Sequence, residues 1–115
     1  MATVLVHFDG RQVRNFPKII PKGTEGMEMI FSFLNESHEK ISLAGKTVNI
    51  KIRHLNNEGV NHQEVLEVLV PEIEGKCKFI IPKEFFSHGG LYEVLFEIVE
   101  EDYKQIIGGG IFGVK

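Results

Sequence analysis

Met27-Glu28-Met29-Ile30-Phe31-Ser32-Phe33 sets Met27, Met29, Phe31 and Phe33 at alternate positions, with Glu28, Ile30 and Ser32 between them. Successive side chains of an extended chain point to opposite faces, so this stretch predicts a strand with one face in a core. A polar turn over Asn35 to Lys40 follows, and Ile41-Ser42-Leu43-Ala44-Gly45 leads into a second long strand. There Val48, Ile50 and Ile52 alternate with Thr47, Asn49, Lys51 and Arg53, polar residues suited to a solvated sheet face.

The same reading extends in both directions. Asn56-Asn57-Glu58-Gly59 is rich in turn formers, and Glu64 to Val70 predicts a third strand closed by Pro71. Glu74-Gly75 turns the chain into Lys76 to Ile81, with Cys77, Phe79 and Ile81 on one face. Pro82-Lys83-Glu84-Phe85-Phe86 reads as one short helical turn near 82–87, with proline at its first position. Leu91 to Glu100 is a strong strand, Glu101-Asp102 a tight turn, and Tyr103 to Ile107 the returning strand. On the N-terminal side, Val4, Val6 and Phe8 alternate before Asp9-Gly10, the signature of a hairpin, and Gln12 to Phe16 forms its outgoing arm. Pro17 and Pro21 then keep residues 15–25 extended. Strands separated by turns at roughly 8–12-residue intervals predict an all-β fold. The expected architecture is an immunoglobulin-like antiparallel β-sandwich of about seven to nine short strands, with a closed barrel as the alternative.

At 115 residues, with 43% hydrophobic and 25% charged, the chain fits one soluble domain spanning 1–115. Its 13 basic residues are interspersed with 16 acidic ones for a net charge of −3, which argues against a nucleic-acid partner. The lone Cys77 rules out an internal disulfide and points to folding in a reducing cytoplasm. No apolar run approaches the ~20 residues of a membrane span, and the first residues lack the pattern of a signal peptide, so no membrane partner is expected.

Residue chemistry gives no catalytic constellation. His7, His38, His54, His62 and His88 lie in five segments, with His38, His62 and His88 in predicted turns. A metal site would need the fold to bring His54 and His62 together. Cys77, beside Phe79 and Ile81, reads as a small core hydrophobe and not as a nucleophile. Glu97, Glu100, Glu101 and Asp102 lack calcium-loop spacing and read as a solvated hairpin tip. No catalytic residue, cofactor or metal is therefore expected, and the chain is not read as an enzyme.

The two ends are the candidate contact regions. Gly108-Gly109-Gly110 is not followed by the Lys-Ser or Lys-Thr of a phosphate loop. It reads as a hinge before a tail over 108–115, whose Ile111, Phe112 and Val114 are offered to a neighbouring subunit as an added strand. The hairpin over 1–16 reads either as a sandwich edge or as a docking arm, with Arg11, Arg14 and Phe16 as its contact residues.

Pro21 to Ile106 also resembles a known family. Lys22-Gly23 precedes the Met27 to Leu34 strand. Ile41-Ser42-Leu43-Ala44-Gly45-Lys46-Thr47-Val48 is similar to that family's apolar-x-Leu-Thr-Gly-x-x-Val. Asn57-Glu58-Gly59, Gly75-Lys76-Cys77-Lys78-Phe79, Ile81-Pro82-Lys83-Glu84-Phe85-Phe86 and Gly90-Leu91-Tyr92-Glu93-Val94 follow in order. Together they resemble the N-terminal domain of phage baseplate upper proteins from Gram-positive hosts. The resemblance implies a β-sandwich that anchors to a tail-tip hub and helps present receptor-binding proteins, without catalytic residues or cofactor. Ala44 departs from the family's threonine, and the stretch from Met1 to Lys115 does not include the family's long C-terminal shaft.

The leading expectation is thus a virion structural protein, synthesised in a bacterial cytoplasm, that binds other tail proteins and self-associates through sheet edges and terminal arms. A carbohydrate- or cell-wall-binding module is the alternative from another class. The absence of Trp and the inward placement of most aromatics weigh against it. A capsid or tail decoration protein and an adaptor of a host protein are the remaining readings.

Overall fold

The computed structural model describes residues 3–7, 12–14, 16–35, 37 and 39–115. Among them are ten strands: β1 Thr3–His7, β2 Gln12–Arg14, β3 Ile19–Ile20, β4 Glu28–Leu34, β5 Thr47–His54, β6 Asn61–Val65, β7 Glu67–Val68, β8 Lys76–Ile80, β9 Gly90–Glu100 and β10 Tyr103–Val114. They form two five-stranded sheets, β2-β1-β4-β8-β7 and β3-β10-β9-β5-β6.

The order β4-β8-β7 facing β10-β9-β5-β6 is the B-E-D against G-F-C-C′ arrangement of an immunoglobulin-like sandwich. Tyr92 adds a second mark of that fold. It lies near the start of β9, the strand in the F position, and its hydroxyl donates to the His88 carbonyl at 2.6 Å, four residues upstream. Two pairings depart from the antiparallel expectation. β1 runs parallel to β4, and β3 runs parallel to β10. The hairpin reverses the chain once more than a single first strand would, so β1 enters its sheet parallel to β4.

Alternation holds along β4 and β5. Met29, Phe31 and Phe33 face inward from one sheet, and Val48, Ile50 and Ile52 from the other. Phe96 closes the gap between them, edge-on to Phe31 at 4.9 Å and to Phe33 at 5.7 Å. Such edge-to-face pairs add to the burial of the rings themselves. A second aromatic group, Phe86, Tyr92 and Phe112, fills the end of the sandwich where β9 begins.

The stretch expected as one strand over Glu64 to Val70 is two strands in different sheets. The chain changes sheets at Leu66, whose N–H donates to the Val48 carbonyl at 2.8 Å and whose side chain is buried. That crossing explains why apolar residues there fall on both faces. The helical element lies at Glu72–Glu74, one turn of 3-10 helix, while 83–86 is a hydrogen-bonded turn closed by Phe85 N–H on the Pro82 carbonyl. Glu84, at φ 67°, takes a left-handed conformation that a helix cannot continue through.

Candidate interaction surface

The C-terminal segment corrects its expected role. Gly108-Gly109-Gly110 does not release a tail, because β10 runs through it and pairs with β9 on both sides. The register shifts between Gly108 and Ile111, so the glycines form a bulge that absorbs extra chain. Phe112 and Val114, expected to dock on a neighbour, are each 2% exposed and fill this chain's own core. Ile111, on the opposite face, is 62% exposed. The alternation that makes 112 and 114 apolar is the ordinary signature of a half-buried strand.

The N-terminal hairpin is a sheet edge. β1 lies between β2 and β4, with Leu5 opposite Arg14 and Val6 opposite Val13. Arg11 and the Asp9-Gly10 turn lie outside the described residues, and Arg14 is placed by its strand pairing alone. Phe16 is half-buried and packs on Phe112 at 5.0 Å and on Phe31 at 6.5 Å, a lid on the core instead of a free contact residue.

His54, His62 and Cys77 are each held in another role, while His38 lies outside the described residues and His7 is placed only by its strand. His54 accepts the Asn56 N–H at Nδ1, at 3.0 Å, and its Nε2 lies 2.9 Å from the Gly89 carbonyl, so both nitrogens are occupied. Gly90 makes room for that ring, since a Cβ there would lie 2.5 Å from His54 Nε2. His62, expected in a turn, sits in β6 opposite Ile52 and stacks on Phe85 at 4.5 Å. Burial lowers its pKa, the nearby His88 lowers it further, and Glu64 opposes them. Cys77 is fully buried, and burial pushes its thiol up to about 12. Among the described residues no group of three His, Cys, Asp or Glu is placed to hold a metal ion.

Glu97 is not at the hairpin tip. It sits in mid-β9 opposite Asn49 on the outer sheet face, yet is only 4% exposed because long neighbours cover it. Asn49 Nδ2 donates to its Oε1 at 3.0 Å, while Lys51 Nζ lies 2.8 Å and Lys104 Nζ 3.3 Å from Oε2. Neither ammonium is well aligned on Oε2, so that oxygen is compensated mainly by charge. Lys51 is the main influence holding the Glu97 carboxyl below its ordinary value of 4.5, against an opposing effect of burial. A depressed folded-state pKa stabilises the fold above the unfolded value and loses that contribution as pH falls through the folded one. Glu97→Gln is therefore expected to cost about 1 kcal/mol near neutral pH, since both cations remain half in water. Urea midpoints of the two proteins should converge as pH drops below 4.5; a difference independent of pH excludes this role for the charge.

The outer face of the β3-β10-β9-β5-β6 sheet carries a different surface. Gly113 pairs with Ile19 on one side and Leu91 on the other, and Leu55 N–H donates to the Leu91 carbonyl at 2.9 Å. Residues opposed across a ladder share a face, so Ile19 and Leu91 form one apolar row across β3, β10 and β9, which Leu55 continues in the turn just after β5. They are 56%, 51% and 37% exposed. Ile111 extends the row beside the Arg53–Glu93 ion pair, whose closest N···O distance is 2.7 Å. Sequence reasoning missed this row because it is assembled from four separate segments. Only Ile111 was legible, through its place beyond the glycines.

The chain matches no known family model and none of the curated proteins.

Proposed function

We propose that this β-sandwich is a non-enzymatic assembly subunit of a phage or prophage particle, at the baseplate or tail tip, working by protein–protein contact. The observation that carries the contact role is the exposed row Ile19, Leu91, Leu55 and Ile111. A contiguous apolar patch rimmed by charged residues is the usual mark of a surface that is covered in an assembly. The row belongs to the sheet and not to terminal arms, which moves the expected contact from the chain ends to the sandwich face. The particle assignment is supported by the resemblance of Pro21 to Ile106 to baseplate upper domains. On this reading the partners are other virion proteins, the location is the virion, and no cofactor takes part. A sugar-binding role finds less support, since Tyr103 is the exposed aromatic ring among the described residues.

Density-gradient fractionation of particles released from cells that encode the chain tests this reading. The chain is expected in the particle peak at a fixed ratio to the other particle proteins. Leu91→Asp should fold as the wild type does and drop out of that peak at least tenfold, because a charge is then placed in a covered apolar contact. A chain that stays in the free fraction overturns the reading, as does strong glycan-array binding without particle association.

A further inference from the structure

We propose that the free edge of β6 pairs with the same edge of a second copy, antiparallel and centred on Gln63, joining two sheets into one. This deepens the assembly reading above by naming one contact and its partner. β6 is the terminal strand of its sheet and, at five residues, the longest edge strand among the described residues. The other edges are shorter. β3 has two residues between Pro17 and Pro21, β7 has two with Pro71 close behind, and β2 has three. Prolines and short lengths are the usual means of blunting an edge, and β6 has neither.

The ladder shows which groups that edge offers. His54 N–H donates to the Val60 carbonyl at 3.0 Å and Leu66 N–H to the Val48 carbonyl at 2.8 Å, in register with the β5–β6 pairs. Main-chain groups of the even-numbered residues therefore point at β5. By the alternation of an antiparallel ladder, those of Asn61, Gln63 and Val65 point away from it. An added strand meets a ready row of donors and acceptors roughly 17 Å long.

Polar self-complementarity selects a second copy as the occupant. A two-fold axis at Gln63 pairs Gln63 with itself, Asn61 with Val65, and His62 with Glu64, each of the last two pairs occurring twice. The His62–Glu64 pairs fall at the close, non-hydrogen-bonded positions of the ladder, so each imidazole faces a carboxylate and no two like charges meet there. His62 is already fixed by its stack on Phe85, and its Nε2 is buried without a hydrogen-bond partner among the described residues. Space for the incoming side chains exists on both faces. A cavity of about 550 Å³ lies between β6 and the Pro82–Ser87 turn, with Lys83 and Glu84 on its far wall. A second of about 400 Å³ lies over Leu95 on the outer face. The interface is isologous, as a closed dimer requires.

Sedimentation equilibrium of the full chain tests this, with circular dichroism melts confirming that each variant folds. The wild type is expected to dimerise reversibly. Gln63→Pro removes an N–H that points away from β5, so it should leave the monomer folded and abolish the dimer. His62→Glu places like charges across both pairs and should weaken the dimer about tenfold, while His62→Glu/Glu64→His removes that repulsion, setting an imidazole against a carboxylate again, and should recover it. A wild type that remains monomeric overturns the proposal, and so does a dimer indifferent to Gln63→Pro. If Leu91→Asp abolishes the dimer and Gln63→Pro does not, the edge contact fails while the assembly reading stands.

Discussion

Deletion of residues 108–115 is expected to abolish cooperative folding, and not to leave a folded domain that has lost only a contact arm. The segment carries Phe112 and Val114 into the core and closes β10 against β9 from Ile111 to Val114. It also holds the other end of the sheet. Gly113 N–H donates to the Lys18 carbonyl at 2.8 Å, Lys115 N–H to Ile20 at 3.1 Å, and Lys22 N–H to Lys115 at 2.7 Å. Without it, Ile20 loses its strand partner and the rings of Phe16, Phe86 and Tyr92 lose the face of Phe112. Removing one buried phenylalanine typically costs about 3–5 kcal/mol, and the valine and lost pairing add to it. That approaches the whole net stability of a typical domain, about 5–15 kcal/mol. Phe112→Ala isolates part of the effect and should lower the melting temperature by roughly 10–20 °C. A truncated chain that melts like the wild type would mean that the segment is not part of this core.

The places where sequence and structure part company share a physical cause. Period-two alternation is a local signal, and where a strand lies flat in one sheet it is readable. Phe31 and Phe33 in β4 and Ile50 and Ile52 in β5 face inward as their spacing predicts. The signal says which face a residue takes, but not which strand lies beside it. The parallel neighbours β1–β4 and β3–β10 therefore had no local trace, nor did the row joining Ile19, Gly113, Leu91 and Leu55. Glycine is ambiguous for a related reason. Gly108-Gly109-Gly110 suits a hinge in isolation, yet the same freedom serves a bulge when a long partner strand is present to pair with both flanks. Glu97 shows the converse case. Its carboxylate suggests solvent, but Asn49, Lys51 and Lys104 come from two neighbouring strands and cover it, and nothing in its own segment announces them.

Gly75→Ala is expected to cost about 2–5 kcal/mol, far more than an alanine at an exposed glycine of the same backbone conformation. Gly75 caps the Glu72–Glu74 turn at φ 66°, where its N–H donates to the Glu72 carbonyl at 3.2 Å. Its own carbonyl accepts from Phe33 N–H at 2.8 Å, so the residue also fixes the entry of β8 beside β4. A Cβ there would stand 2.5 Å from the Ile41 carbonyl oxygen and 3.1 Å from that of Phe33. Both are main-chain atoms, and the Phe33 carbonyl is held by the Ile41 N–H, which donates to it at 3.1 Å. Neither can yield without opening the contact between the 39–41 segment and β4. The left-handed conformation alone costs an L-residue roughly 1–2 kcal/mol, and crowding in a packed site adds about 1–3 kcal/mol. Gly45 separates the two contributions. It lies at φ 73° with nothing within 4 Å of a Cβ, so Gly45→Ala should incur the conformational cost only. Urea unfolding of the two variants checks the difference. Equal losses at Gly45 and Gly75 would show that β8 does not press against the Ile41 carbonyl, and the approach of these segments would have to be redrawn.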